Sequence, residues 1–293
     1  TPLTAYELAP TGASAGVGRA TALEFARHGA NLALIARNRE ALESARAEVE
    51  SCGARAVVLP LDVSDAEALE QAAQTVEASL GPIDVWVNDA MVTVFSPVAM
   101  LQPDEVRRVT EVTYLGTVYG TLAALKRMRE RNRGVIIQVG SALAYQAIPL
   151  QAAYCGAKFA VRGFTTALRT ELRHSGSRIQ VTMVQMPALN TPQFDWCRTR
   201  LPGQPRPVAP VFQPELAARA IYWAARHRRR ELLVGASTVA AVWGSRLIAP
   251  LLDRYLARTA YAAQISGQPV APGRPDNLWH AVPGDHGARG RFS

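Results

Sequence analysis

"TGASAGVGRATALEFARHGANLALIARNR", residues 11–39, sets glycines at positions 12, 16 and 18, then a helical stretch, then an apolar run of strand length. Small residues let backbone N–H groups come close to a diphosphate. The N-terminus of the following helix adds donors and a favourable dipole. A glycine-rich loop alone says little. A loop followed at once by a helix and then by "NLALIA" (31–36) says much more. Gly12, Ser14, Gly16, Val17 and Gly18 are therefore the candidate phosphate contacts. The strand expected before the loop is poor. "TAYELAP" (4–10) contains Glu7 and ends in Pro10, which has no N–H for a ladder.

The same alternation continues outward. "ARAVVLPL" (54–61), "IDVWVN" (83–88), "GVIIQVG" (134–140), "RIQVTMVQM" (178–186) and "ELLVG" (231–235) read as buried strands. Between them lie helical stretches such as 37–53, ending at Gly53, and 64–81, with a Ser or Asp cap and Gly81 as its stop. Strands alternating with helices predict an open, doubly wound parallel sheet with helices on both faces, whose ligands bind beyond the strand C-termini. Residues 1–235 form one dinucleotide-binding catalytic domain in this reading, and 236–293 a C-terminal extension. The extension has a helix-like segment at roughly 239–263 and an irregular Gly/Pro-rich tail placed to wrap over the domain or a neighbouring subunit. Residues 200–215 hold five prolines and suit a lid or binding loop.

At 293 residues and 48% apolar, the chain can bury a sizeable core. Its net charge of +8 comes mostly from arginines, clustered in "KRMRERNR" (126–133) and "RHRRR" (226–230). Neither run has interleaved aromatics or a nucleic-acid module, so both read as solvated helix ends and nucleic acid is not an expected partner. A basic field does suit an anionic cofactor. Cys52, Cys155 and Cys197 fit neither a zinc spacing nor a disulfide framework, and the five histidines form no metal set. No metal and a reduced, cytoplasmic setting are expected, with no signal-peptide pattern at the start. The window Leu232 to Leu252 is long enough to cross a bilayer. Gly235, Gly244 and Pro250 interrupt it, which argues against spanning and leaves surface association open.

Arg37 follows the second strand, nineteen residues after Gly18. An acid there would bind the ribose 2′-hydroxyl of NAD, whereas arginine suits a 2′-phosphate, so NADP(H) is favoured over NAD(H). Tyr154 and Lys158 are four apart and share one helix face. A free phenol has a pKa near ~10, and a nearby ammonium lowers it, making proton exchange with an alcohol or carbonyl oxygen feasible. Ser141 follows the strand "GVIIQVG" and stands at the ligand end of the sheet, where its hydroxyl can orient a substrate. Taken alone, a Tyr-x-x-x-Lys pair is a packing tyrosine and a solvated lysine. The upstream loop and Ser141 turn the reading toward catalysis. Tyr145 has no lysine one turn beyond it and is assigned to packing or the substrate pocket.

As an ordered set, the motifs over residues 11–235 resemble the short-chain dehydrogenase/reductase (SDR) family, in a branch with an extended C-terminal tail. "TGASAGVG" is similar to its Thr-Gly-x-x-x-Gly-x-Gly loop, and "YCGAK" (154–158) to its Tyr-x-x-x-Lys motif. In "LDVSD" the resemblance puts Asp62 and Val63 beside the adenine; in "NDAM" (88–91) it puts Asn88 and Ala90 at the cofactor. Pro187 and Thr191 of "PALNT" stand where the family contacts the nicotinamide. The resemblance implies a Rossmann-type sheet of about seven strands. It also implies a homodimer or homotetramer that interconverts a carbonyl and a secondary alcohol with a nicotinamide cofactor. Ser141, Tyr154 and Lys158 would be catalytic, with Tyr154 and Lys158 also contacting the cofactor. The proline-rich loop and apolar extension point to a hydrophobic small-molecule substrate. The chain departs from the pattern at Asp89 (usually Asn), Met91 (usually Gly), Thr113 (usually Asn) and the shortened "PALNT". These departures motivate the alternative of a cofactor-binding regulatory or scaffolding protein with little catalysis.

Overall fold

A computed structural model of the chain describes residues 7–292. Strands β1 (Glu7–Pro10), β2 (Asn31–Ala36), β3 (Ala56–Pro60) and β4 (Val85–Asn88) alternate with helices α1 (Gly16–Ala26), α2 (Arg39–Ser51) and α3 (Ala66–Ser79). After the two-residue β5 (Val94–Phe95) come α4 (Pro103–Val109), α5 (Gly116–Arg131), β6 (Val135–Ser141), α6 (Ala152–His174) and β7 (Gln180–Met186). A short α7 (Gln193–Trp196), β8 (Arg198–Thr199) and β9 (Gly203–Pro205) lead to α8 (Pro214–Arg226) and β10 (Glu231–Leu233). The extension contains α9 (Ala236–Leu247), α10 (Ala249–Ala263) and β11 (Ile265–Pro269).

The central sheet has seven parallel strands in the order β10-β7-β6-β4-β1-β2-β3, the doubly wound Rossmann arrangement expected. The chain order reverses direction between β1 and β4, and the ends of those strands open the cleft. Because successive strand residues face opposite sides, Leu34 packs with Phe25 of α1 and Ile221 of α8, while Ile35 packs with Val76 of α3 and Met128 of α5. Continuously apolar strands follow from that double burial.

Local chemistry sets the element ends. Asn38 caps α2, its Oδ1 accepting from Ala41 N–H at 3.1 Å, and Asp65 caps α3 by accepting from Ala68 N–H at 3.0 Å. Despite Pro10, β1 forms. The strand ends there, and one residue later Thr11 N–H donates to Val87 O at 2.9 Å. Buried Glu7 accepts from Asn31 Nδ2 at 3.0 Å. Thr4, Ala5 and Tyr6 of that stretch lie outside the described residues.

Three expectations are corrected. The helix expected at 239–263 is two helices, broken at Ile248 (φ −137°, ψ 35°), because Pro250 suits a helix start and not an interior. The proline-rich stretch is not all loop, since β9 pairs antiparallel with β11. The basic run at 126–133 is not simply solvated. Lys126 and Arg127 pair with Glu70, and Arg131 with Glu77, clamping α5 to α3. No helix among the described residues is long and apolar enough to cross a membrane.

Candidate active site

Beyond the strand C-termini lies a cleft of about 430 Å³, within the range of small-molecule sites. It is lined by Gly12, Ser14, Gly16, Val17, Arg37, Asp62 and Val63, by Ser141, Tyr154, Lys158 and Pro187, and by Ala90, with Thr191 close to Gly16. The phosphate loop folds tightly back on itself. Gly12 has φ +74°, and a Cβ at residue 18 would stand 2.3 Å from Gly12 O, so only glycine fits there. Thr11 Oγ1 accepts from the N–H groups of Asp89 (3.0 Å) and Ala90 (3.1 Å), tying the end of β1 to the end of β4. This Cβ-free cradle at a helix N-terminus fits a dinucleotide diphosphate.

Ser141 is the last residue of β6, and its Oγ accepts from Leu143 N–H at 3.1 Å. The Tyr154 hydroxyl is hydrogen-bonded to Ser141. One turn along α6, Lys158 Nζ donates to Val139 O at 2.7 Å and sits 5.6 Å from the Tyr154 ring centre. Thus β6 and α6 bring the three sequence-predicted catalytic residues together. The electrostatics correct one expectation. Burial raises the Tyr154 phenol above its ordinary range; the Ser141 hydrogen bond opposes the rise, while Cys155 and Asp89 add to it. Burial also pulls the Lys158 ammonium down to about 8, against the attraction of Asp89.

Asp89 is the partner that sequence reasoning missed. It lines the cleft, and burial pushes its carboxyl up to about 7 against the pull of Lys158 and a hydrogen bond from Gly18 N–H. The departure from asparagine thus creates a carboxyl–ammonium couple beside the tyrosine. The Thr113 side chain, where the family pattern has asparagine, is engaged by the strand-end loop of β4. Its fully buried hydroxyl accepts from Val92 N–H (3.2 Å) and donates to Val92 O (3.1 Å) within a π-helical turn at Thr110–Leu115. Asn88 also lies away from the expected place. Its Oδ1 accepts from Trp86 Nε1 at 2.8 Å, and its Nδ2 donates to Thr121 and Gln138, beneath the cleft wall. Gly18 shapes the loop without lining the cleft. Tyr145 packs, its hydroxyl donating to the Glu231 carboxylate at 2.6 Å. Cys155 is buried and its thiol is raised by burial.

Residues 9–199 match the short chain dehydrogenase family. The chain belongs to that family. It is 32% identical over 278 residues to the uncharacterized oxidoreductase YxnA of Bacillus subtilis, covering 94% of this chain and 78% of that one. It is 32% identical over 219 residues to the 3-dehydrosphinganine reductase of Danio rerio, covering 72% of this chain and 65% of the reductase. Among solved structures, an alcohol dehydrogenase from Thermococcus sibiricus complexed with 5-hydroxy-NADP superposes with a TM-score of 0.67 at 27% identity, covering 78% of this chain and 96% of that one.

In this short-chain dehydrogenase the tail covers the Arg37 end of the cleft, a feature the irregular sequence of the tail only hinted at. Arg37 lies 4.0 Å from Asp62, but both of its terminal nitrogens donate to tail carbonyls: Nη2 to Asn277 O (2.6 Å) and Nη1 to Trp279 O (3.2 Å). Arg108, unnoticed in the sequence, is buried beside them; it pairs closely with Asp62 and donates to Ser64 Oγ at 2.9 Å. Burial pushes Asp62 up, but the hydrogen bonds from Ser64 and Arg108 outweigh it and leave the carboxyl below its ordinary value. The shortened "PALNT" is also braced by the tail. Gly290 N–H donates to Asn190 O at 3.1 Å, and a Cβ at 290 would lie 2.5 Å from Thr191 O.

Proposed function

We propose that this short-chain dehydrogenase is an NADP(H)-dependent reductase that converts an apolar ketone to its secondary alcohol. The observation that carries this reading is the Tyr154 phenol, bonded to Ser141 and one turn from Lys158, in a cleft that also reaches Arg37. Ser141 holds the substrate oxygen. Bound NADPH supplies the hydride. Tyr154 donates the proton to the substrate oxygen, and its raised pKa keeps that proton in place at neutral pH until the substrate takes it. Lys158, fastened to Val139 O, carries positive charge one turn from the tyrosine and would hold the nicotinamide ribose of a bound cofactor.

Arg37 in the cleft lining supports a 2′-phosphate, as does the structural neighbour with its bound NADP derivative. An apolar substrate is supported by Leu143, Ile148, Phe194, Trp196 and Leu256 around the catalytic end. A homo-oligomer is supported by exposed Leu122 on α5 and Phe159 on α6.

The test is NADPH oxidation across a panel of apolar ketones. Tyr154→Phe is expected to lower kcat by about 10²–10⁴-fold while NADPH binding, read by fluorescence, is unchanged. Activity that survives the substitution overturns the assignment. Tight binding without turnover on the whole panel favours the non-catalytic alternative, to which the Thr113 hydroxyl, spent on Val92, lends weight.

A further inference from the structure

The inner side of the α9–α10 hairpin lines the catalytic end of the cleft through Ser237, Thr238, Leu256 and Ala260. Its outer side is apolar and open. On α9, Val239, Trp243 and Leu247 recur every four residues and are all exposed, Leu247 at 74%. Past the break at Ile248, also exposed, Leu251 (60%) and Tyr255 (62%) continue the surface on α10. Arg246, Arg254 and Arg258 are exposed on the same two helices, where the one acidic residue is Asp253, held by Gln146 Nε2 at 3.1 Å. An apolar ridge with an aromatic residue on each helix and three cations beside it is the composition of a helix pair that lies in a lipid interface.

We propose that this hairpin docks the enzyme on an anionic lipid surface, with the substrate mouth against the bilayer. The charge balance favours lipid over a second copy of this chain, because two such faces would oppose three arginines to three arginines. The apolar-substrate reading follows naturally from this placement but is not needed for it. Co-sedimentation of the full chain with vesicles of equal parts phosphatidylglycerol and phosphatidylcholine tests the surface without reference to activity. Binding is expected to those vesicles and to be much weaker to phosphatidylcholine alone. The triple variant Trp243→Ser, Leu247→Ser, Leu251→Ser is expected to lose roughly tenfold or more. Reversing Arg254 and Arg258 to Glu, at exposed positions that leave the core untouched, is expected to cost at least roughly fivefold per residue. Failure to bind either vesicle overturns the proposal, as does a change of oligomeric state in the variants that shows a second copy covers the ridge.

A different observation carries a second inference. The donors suited to the phosphates are in use by the tail. Arg37 is spent on the carbonyls of Asn277 and Trp279, and Gly16 N–H, the first of α1, donates to Gly287 O at 3.1 Å. Asn38 Nδ2 holds Val282 O (2.8 Å) and Gly284 O (3.0 Å). Asp285 is locked to buried Arg19 at 2.5 Å and to Ser44 Oγ at 2.6 Å. We infer that residues 277–290 are a displaceable strap over the adenosine half of the cleft, which a 2′-phosphorylated nucleotide must lift to reach Arg37. This rests on the nucleotide reading of the cleft but not on turnover.

Hydrogen exchange of the full chain with and without 2′,5′-ADP reads the strap directly. The amides of Gly284, Gly287 and Gly290, all hydrogen-bonded, are expected to exchange faster when the nucleotide binds. Asp285→Ala, which loosens the strap while leaving Leu278 buried, is expected to bind 2′,5′-ADP roughly tenfold tighter, as the opening cost falls. Slower exchange on binding, or weaker binding by the variant, overturns the inference and makes the tail a wall of the site. No binding at all by the wild-type chain instead refutes the nucleotide reading.

Discussion

Tyr154, Lys158 and Asp89 form a coupled set in which burial raises the phenol and the carboxyl and lowers the ammonium. With its carboxyl at about 7, Asp89 becomes negative just above neutrality and then opposes a phenolate at Tyr154. Asp89→Asn removes that opposition. The rising limb of alcohol oxidation, which follows deprotonation of Tyr154, is expected to move down by about one pH unit, while ketone reduction at neutral pH changes little. A kcat/KM profile in both directions checks it, and an unmoved limb would mean that Asp89 does not feel the tyrosine. Ser141, Tyr154 and Lys158 were readable because their spacing along one strand end and one helix puts them on the ligand side. Asp89 stood out only as an odd residue in "NDAM", since its electrostatic coupling to Lys158 crosses 69 positions of sequence.

Among the elements, the α3–α5 clamp shows how a charge run can mislead. Glu70 is held down from 4.5 to about 2 by hydrogen bonds from Arg127 and Lys126, against a small opposing effect of burial. A depressed carboxyl contributes stability that is complete above its unfolded pKa and is lost as pH falls through its folded one. Glu70→Gln is therefore expected to cost about 1 kcal/mol at pH 7 once solvent screening is allowed for, lowering Tm by about 2 °C. The gap should narrow from pH 4.5 toward pH 2, and thermal melts across that range test it. The strand–helix alternation was plain from periodicity and caps. The break at Ile248 and the pairing of β9 with β11 were not, because each depends on what the segment meets in space.

Across the whole molecule, the tail joins distant parts of the chain. Leu278 is fully buried against the α3–α5 side of the core, and Arg108 Nε donates to its carbonyl at 2.9 Å. Leu278→Ala is expected to weaken tail docking by roughly 2–5 kcal/mol. Hydrogen exchange should then rise throughout residues 277–292 while the central sheet keeps its protection. Equal loss of protection in the sheet would show that tail and domain unfold as one unit.

By itself the sequence determined the doubly wound fold, the glycine-rich loop and the serine–tyrosine–lysine set, since each is written in local spacing: short apolar runs of strand length, helix faces and a glycine turn. Tertiary structure alone decided that Arg37 binds tail carbonyls, that Asp89 feels the charge of Lys158, that Thr113 is spent on Val92 and that Asn88 lies beneath the cleft wall. Hydrogen bonds and charges act through space. Their partners come from segments far apart in sequence, and the aperiodic tail carries no local pattern that names what it will touch.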